Sequence, residues 1–480
     1  MDRKLFIGGA WVAAKAGQVL EIRDPANGEP VGTSALAMAA DADRAVAAAR
    51  AALPDWSAMH ADARAKILHR AADLIESRVE EIATLLTREQ GKPLPDSRKE
   101  ILFSCEVYHY YAEEGRRIGG QLRPSSRADI RSVVTSSPVG VVGGIVPWNY
   151  PVDLYAWKVA PVLAAGCTAV VKPPHETPLA IALVVQCLQD AGVPPGVLND
   201  IPGTGPEVGA HLSAHPDVAM ISATASVPAG QAIMRAASTT LKRLSLELGG
   251  HSPFVVLDDA DVDEAAQAAF RRGFSNMGQI CIAVNRIIVA DRLYDRFVEA
   301  ITAITAATEL GHGLTPGVLY GPCTTDKVRR HVQSQLDDAL SRGARLLTGG
   351  AVPKGEAFDR GFFYRPTLID GIADGSRILQ EETFGPLTGI LRAGSDAEAL
   401  RLANSTPFGL AAYVYSQDLD RAWRFAEGLQ AGQVGVNVND TTELQAPFGG
   451  WKMSGIGREL GPEGLMTFRE QKHIKLRLRG

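Results

Sequence analysis

From Gly140 onward the chain alternates short β-type runs with helical ones, and few architectures accept that order. Residues 141–146 read as a strand before a helix after Pro151. Residues 168–171 precede a helix from Pro178, and 198–201 precede a helix after Gly205. Residues 218–222 precede a helix from about Ser226, and 241–246 follow. After Glu247 the pattern restarts, with a strand at 254–257, a helix from Asp261, a strand at 286–289 and a helix from Leu293. Helices at about 325–340 and 396–403 and strands near Ile390, Tyr413 and Val434 complete it. Parallel neighbours need a crossover, and a helix supplies it. The order therefore predicts an α/β fold of two doubly wound parallel-sheet units, each with helices on both faces. No sequence repeat links the two halves.

The first 139 residues differ. Residues 1–39 read as short strands and turns, clearest at Asp24-Pro25-Ala26-Asn27-Gly28. Asp41 caps an alanine-rich helix that ends near Pro54. Apolar spacing at Ile67, Leu68, Ala71, Leu74 and Ile75 predicts one helix from Ala61 to about Gln90, stopped by Gly91. Another runs from about Pro95 to Arg117. Near the N-terminus, Arg3 and Lys4 precede a mostly apolar stretch, and Ala14-Lys15-Ala16 resembles a leader cleavage site. Gly8, Gly9 and Trp11 interrupt that stretch, which favours strand, turn and strand. No apolar run approaches the ~18 residues of a spanning helix.

With 480 residues, 46% hydrophobic and 21% charged, the chain can bury a large core. A net charge of −5 with mixed signs leaves no footprint for nucleic acid and no polybasic membrane patch. Five unpatterned cysteines, an odd number, speak against a disulfide framework and for a reducing, cytoplasmic setting.

Three stretches carry the chemistry. Residues 274–283 hold one cysteine, Cys281, in a polar, Gly-containing segment. Leu246-Glu247-Leu248-Gly249-Gly250 sets a carboxylate among apolar and glycine neighbours. Pro147-Trp148-Asn149-Tyr150-Pro151 offers a side-chain amide. A thiol, a carboxylate and an amide are the parts for covalent acyl chemistry. Alone, a cysteine beside apolar residues is usually a small buried hydrophobe.

Together these stretches resemble the aldehyde dehydrogenase superfamily over nearly the whole chain. Phe274, Asn276, Gly278, Gln279 and Cys281 fit its nucleophile motif, and Glu247–Gly250 its Glu-Leu-Gly-Gly motif. The resemblance implies oxidation of an aldehyde to the acid with NAD or NADP, through a thiohemiacetal and a thioester. In that reading Cys281 attacks, Asn149 and the Cys281 backbone N–H hold the oxyanion, and Glu247 activates the hydrolytic water. The presence of Glu247 favours water over coenzyme A as acyl acceptor. Lys158 and Glu459 match supporting or proton-relay positions; a solvated surface charge is the alternative for each.

For the cofactor, Gly203-Thr204-Gly205-Pro206-Glu207-Val208-Gly209 is one residue too long for GxGxxG. Residues 222–226, between a strand and a helix, are the better phosphate candidate. Here the family's Phe-Thr-Gly-Ser pattern is altered at Ala223 and Ala225, while Ser226 remains. Lys172 matches the family's ribose-binding lysine. His175 stands where NAD-selective members often carry glutamate, and Glu176 lies one further, so NAD and NADP both stay open. Glu382 and Phe384 match the nicotinamide-side element, and Trp148 adjoins Asn149.

The aldehyde tail is expected against Tyr150, Asp153, Leu154, Trp157, Ile280, Ile282 and Phe448. Trp157 replaces the arginine of several succinate-semialdehyde enzymes. Tyr150 and Trp157 resemble the betaine aldehyde group, where aromatics receive a quaternary ammonium; a plain apolar pocket is the preferred reading. A phosphorylated-aldehyde or semialdehyde enzyme, or a catalytically silent relative, are the alternatives. His211 and His215, four apart, could hold a metal, but Pro206 and Pro216 flank them and no third ligand is evident, so no metal is assigned.

The resulting layout is a dinucleotide-binding unit at 1–118 and 140–247 and a catalytic unit at 248–445. A small protruding β element follows from 119–139 and 462–480. The resemblance implies that strands 131–136 and 474–479 pair with another subunit, giving a homodimer or homotetramer; an ordinary edge strand is the alternative.

Overall fold

A computed structural model describes residues 1–478; Arg479 and Gly480, at the end of the expected last strand, lie outside the described residues. The first large sheet has eight strands. From one edge they are Gly455–Ile456, Arg243–Glu247, Met220–Thr224, Val141–Ile145, Thr168–Lys172, Leu198–Asp200, Leu5–Ile7 and Ala10–Val12. The central five run parallel, and the strands added at each edge are antiparallel. All five residues of Val141–Ile145, Thr168–Lys172 and Met220–Thr224 are buried. A parallel sheet covered by helices on both faces has this burial. The parallel part of the sheet begins at Val141–Ile145, winds outward through Thr168–Lys172 and Leu198–Asp200, then returns to the other side of Val141–Ile145 with Met220–Thr224. That reversal opens a crevice at the carboxyl ends of these two strands.

The second sheet has seven strands, in the order Arg345–Thr348, Thr367–Asp370, Leu387–Ala393, Val284–Ala290, Ser252–Val256, Ala411–Tyr415 and Gln433–Val436. All pairs but the first are parallel. A third sheet, Arg469–Arg477, Ile130–Pro138 and Gln121–Arg123, is wholly antiparallel. The two segments expected to protrude thus pair with each other within one chain. Among the described residues no helix is long and apolar enough to cross a membrane.

The N-terminal stretch forms a hairpin, Leu5–Ile7 and Ala10–Val12, turning at Gly8 (φ 62°) and Gly9 (φ 83°). Two successive left-handed residues are what a tight two-residue hairpin turn requires. Two expectations need correction. The helix expected to stop near Pro54 spans Ala39–Ala58; the proline forgoes one ladder bond, and burial of Trp56 (1% exposed) holds the last turn. Asp41 lies inside this helix, where its carboxylate accepts the backbone N–H of Met38, rather than at its cap. The single helix from Ala61 to Gln90 is two, Ala61–Ser77 and Val79–Gln90, broken where Arg78 takes φ −112° and ψ 17°. The bend keeps Ile75 and Ile82 fully buried on either side of it. Gly91 ends the second with φ 98°.

Candidate active site

Three strand ends of the first sheet converge on one cleft. Val141–Ile145 leads into Trp148 and Asn149, Met220–Thr224 into Ala225 and Ser226, and Arg243–Glu247 ends at Glu247 itself. The second unit faces them with the loop before Val284–Ala290, carrying Cys281, and the loop before Leu387–Ala393, carrying Glu382 and Phe384. Between them is a cavity of about 550 Å³ lined by Trp148, Asn149, Glu247, Cys281, Glu382 and Phe384, among others. That is the size of a small-molecule site.

The cysteine loop is strained and tightly held. Asn276 (φ 48°), Met277 (φ 58°) and Gly278 (φ 70°) are successive left-handed residues. For Asn276 and Met277 this costs about 1–3 kcal/mol each, and it persists only under outside restraint. Gln279 supplies restraint: its Nε2 donates to Asn276 O (2.9 Å), and its Oε1 accepts from Thr324 N (2.9 Å). Asn276 Nδ2 donates to Asn149 O (3.0 Å), and Asn149 Nδ2 to Gln279 O (3.1 Å). The motif glycines allow close approach. A Cβ on Gly278 would lie 2.3 Å from Gly385 O, and one on Gly250 would lie 2.2 Å from Cys281 O.

Burial pushes the Cys281 thiol well above its usual range, and repulsion from Glu247 and then Glu382 adds to this. The thiol is therefore protonated at rest and needs a base. Burial also pushes Glu247 up to about 8, reinforced by Glu459 and opposed by the Cys281 contact and Lys158. Glu247 is 2% exposed and neither carboxyl oxygen has a protein hydrogen-bond partner. A carboxyl poised this way can give or take a proton near neutral pH. Glu382, raised to about 7 by burial, accepts the Gly250 N–H at 3.0 Å.

Lys158 and Glu459 are not solvated charges. Their side chains are 1% and 5% exposed and pair at 2.7 Å, and Lys158 Nζ also donates to Thr224 Oγ1 at 2.7 Å. Glu459 is held in turn by paired backbone bonds with Phe448.

On the other wall, His175, Glu176, Ser226, Trp148, Glu382 and Phe384 line the cavity, with Trp148 and Phe384 edge-to-face at 5.4 Å. Ser226 starts the helix Val227–Ala237 without a side-chain cap, leaving the first N–H groups and its hydroxyl to meet an anion. A Cβ on Gly249 would lie 2.3 Å from Glu382 Oε2, so the backbone there lies directly against that carboxylate. These features fit a nicotinamide dinucleotide. Lys172 and Gly205 are not part of the lining. Lys172 Nζ donates to Pro173 O (3.0 Å) and Gly203 O (3.4 Å), and burial lowers it to about 8. Gly205 opens a short π-type turn that precedes Ala210–Ala214. Thr224 of the 222–226 segment borders the cavity as well. Sequence reasoning missed Thr325, Lys327 and His331, which also line it. It missed Gln90, Lys92 and Glu100 behind Asn149 as well. No local pattern marks residues that meet across such separations.

Tyr150, Trp157, Ile280, Ile282 and Phe448 do not border this cavity; they belong to one apolar cluster against which Cys281 also packs. Trp157 and Phe448 meet edge-to-face at 4.9 Å, and Trp157 Nε1 donates to Asp153 Oδ1 at 2.8 Å. The Tyr150 ring already carries Lys92 Nζ over its face, 3.7 Å from the centroid.

His211 and His215 do acquire a third group, Asp43, which the sequence did not reveal. His211 Nε2 lies 2.6 Å and His215 Nε2 3.5 Å from Asp43 Oδ1. His215 Nδ1 accepts the Asp217 N–H at 3.1 Å, so a neutral His215 carries its proton on Nε2, facing Asp43. The cluster reads as a hydrogen-bonded surface contact.

A half-buried thiol, a buried carboxyl and a buried amide meet in a crevice between two doubly wound units, the parts that covalent acyl chemistry needs. Residues 11–474 match the sequence model of the aldehyde dehydrogenase family, and the chain belongs to that family. It is 40% identical over 476 residues to 3-sulfolactaldehyde dehydrogenase of Pseudomonas putida, covering 99% of this chain and 97% of that protein. It is 40% identical over 474 residues to an NADP(+) succinate-semialdehyde dehydrogenase of Escherichia coli, covering 98% and 97%. The crystal structure of betaine aldehyde dehydrogenase from Staphylococcus aureus in complex with NAD+ superposes with a TM-score of 0.98 at 36% identity, covering 100% of this chain and 95% of that one. The chain is an aldehyde dehydrogenase, and its reaction is oxidation of an aldehyde to the acid by the family's cysteine mechanism.

Proposed function

We propose that this enzyme oxidises an aldehyde with an uncharged, apolar tail, using Cys281 as nucleophile, and releases the acid by hydrolysis. The observation that carries the reading is the convergence of Cys281, Glu247 and Asn149 on one cavity. Glu247 takes the thiol proton as the sulfur attacks, and the resulting oxyanion is held by the second amide proton of Asn149 and the Cys281 backbone N–H. A bound nicotinamide dinucleotide, NAD or NADP, supplies the hydride acceptor. Ser226 and the N-terminus of Val227–Ala237 would hold its pyrophosphate, and Trp148, Glu382 and Phe384 its nicotinamide end, with His175 and Glu176 on the adenosine side. After acylation Glu247 deprotonates the water that attacks the thioester, and the buried Lys158–Glu459 pair behind it carries the proton onward.

Three observations favour an apolar tail over the relatives' charged ones. Trp157 and Phe448 close on each other as an aromatic pair. The face of Tyr150 is occupied by Lys92, so a quaternary ammonium would meet a like charge there. Arg272, on the helix Val262–Phe274 that leads into the cysteine loop, is paired with Asp440 at 2.6 Å. The test is reduced-nicotinamide formation across aliphatic, aromatic, amino, trimethylammonio and carboxylate-bearing aldehydes, each with NAD and with NADP. Highest kcat/KM for the uncharged aldehydes is expected; preference for the carboxylate or trimethylammonio member refutes the tail assignment.

The reading extends to domain roles and assembly. The unit at 1–118 and 140–247 binds the dinucleotide, that at 248–445 carries the cysteine, and 119–139 with 462–480 joins subunits. Exposed Leu122, Ile474 and Leu476 on the third sheet support a homodimer or homotetramer, which light scattering on the purified protein would measure. Five unpaired cysteines support a cytoplasmic setting.

A further inference from the structure

One fully buried ion pair lies outside the thiol–carboxyl–amide set and yet touches it. Lys92, just past the end of Val79–Gln90, and Glu100, on Leu94–Arg116, form a salt bridge with both side chains 0% exposed. Isolating two charges from water is costly and stabilises a fold only weakly against an apolar substitute. Such a pair calls for an account of what else it holds.

The other side-chain contacts of both partners fall within one short stretch, residues 149–153. Lys92 Nζ donates to the Asn149 carbonyl at 2.8 Å and sits 3.7 Å from the centroid of the Tyr150 ring. Glu100 Oε1 accepts from Val152 N at 2.9 Å and Asp153 N at 3.3 Å. Those amides belong to the first turn of Pro151–Ala164, which has no cap from its own Tyr150. The pair therefore grips the chain on both sides of Tyr150–Pro151, by the Asn149 carbonyl before and the Val152 and Asp153 amides after. The grip continues to the cysteine loop. Lys92 N donates to Gln90 Oε1 (2.8 Å), Gln90 Nε2 donates to Asn276 Oδ1 (3.1 Å), and Asn276 Nδ2 shares the Asn149 carbonyl with Lys92 (3.0 Å).

We propose that Lys92 and Glu100 are positioning residues for the oxyanion site: together they fix the Asn149 backbone so that its side-chain amide meets the oxyanion formed at Cys281. This rests on the reading of Asn149 as an oxyanion donor. Neither residue touches the aldehyde's reacting carbon; both act through Asn149. A displacement of about 1 Å in such a donor costs on the order of 10²-fold in rate.

The test is a double-mutant cycle on kcat/KM for the best aldehyde, which reports on steps through acylation. Lys92→Met with Glu100→Gln removes both charges without leaving either buried alone. A fall of about 10- to 100-fold is expected, within the range for loss of an oxyanion-hole donor. Alkylation of Cys281 by iodoacetamide and the thermal midpoint stay near those of the parent enzyme. In an Asn149→Ala background the same substitutions lower kcat/KM by less than about twofold, because the group they position is gone. A full loss repeated in that background overturns the proposal, as does no loss in the parent. A parallel fall in alkylation overturns it too, since the cysteine loop has then collapsed. If Asn149→Ala alone leaves kcat/KM unchanged, the oxyanion reading fails and takes this one with it, and that single variant identifies which fell first. Should the double substitution not fold, Glu100→Gln alone, which keeps the acceptor for Val152 and Asp153, gives a smaller loss of about 3- to 10-fold with the same non-additivity.

Discussion

Replacing Glu247 with Gln separates the two halves of the reaction. The substitution keeps size and removes only the titrating proton site. In the parent, Glu247 is raised to about 8, so its basic form makes up about one-tenth of the enzyme at pH 7 and about nine-tenths at pH 9. If hydrolysis of the thioester uses that carboxylate, steady-state turnover in the parent rises about tenfold over this interval. A positioned general base contributes about 10²- to 10⁴-fold, so Glu247→Gln lowers turnover by that order and flattens the alkaline limb. Stopped-flow nicotinamide absorbance is the assay. With aldehyde in excess, the variant shows a slowed burst approaching one reduced nicotinamide per Cys281 and then almost no further turnover, and mass spectrometry finds the acyl-enzyme. Parent-like steady-state turnover, or a retained tenfold rise between pH 7 and 9, would refute Glu247 as the hydrolytic base.

Other substitutions test separate parts of the reasoning. Cys281→Ala abolishes aldehyde oxidation while leaving nucleotide binding measurable by fluorescence. Gly278→Ala places a methyl 2.3 Å from Gly385 O at φ 70°, so it destabilises the fold by more than about 1–3 kcal/mol, read as a lower thermal midpoint, and slows Cys281 alkylation. Glu176→Gln removes a negative charge from the cavity wall; the kcat/KM ratio for NADP over NAD rises about fivefold, the effect of about 1 kcal/mol for one partly solvated charge. Buried carboxyls make stability fall between pH 6.5 and 8. Glu89 and Glu247 (both about 8) and Glu382 (about 7) stay protonated when folded but are ionised when unfolded. The native state therefore binds more protons there, and its advantage is lost as pH rises through the folded values. His251, lowered to about 3, and Lys172, lowered to about 8, act in the opposite sense, mainly below and above this window. A thermal midpoint that rises across the window contradicts this assignment.

The sequence by itself determined the alternation, and with it two doubly wound sheets, because strand and helix periods are local properties of adjacent residues. It also determined the motifs around Cys281, Glu247 and Asn149, where glycines mark backbone crowding that any substitution would violate. The hairpin at Gly8–Gly9 was legible for the same local reason. Tertiary structure alone decided the rest. Whether Lys158 and Glu459 are solvated depends on a partner 301 residues away, not on their neighbours in sequence. Lys92 and Glu100 look like ordinary surface charges until Asn149 is folded against them. Pro54 stays helical and Arg78 breaks a helix because packing of Trp56, Ile75 and Ile82 outweighs local propensity. The position of the cavity followed from winding order. The values of about 8 at Glu247 and about 7 at Glu382 follow from burial, which no sequence window contains.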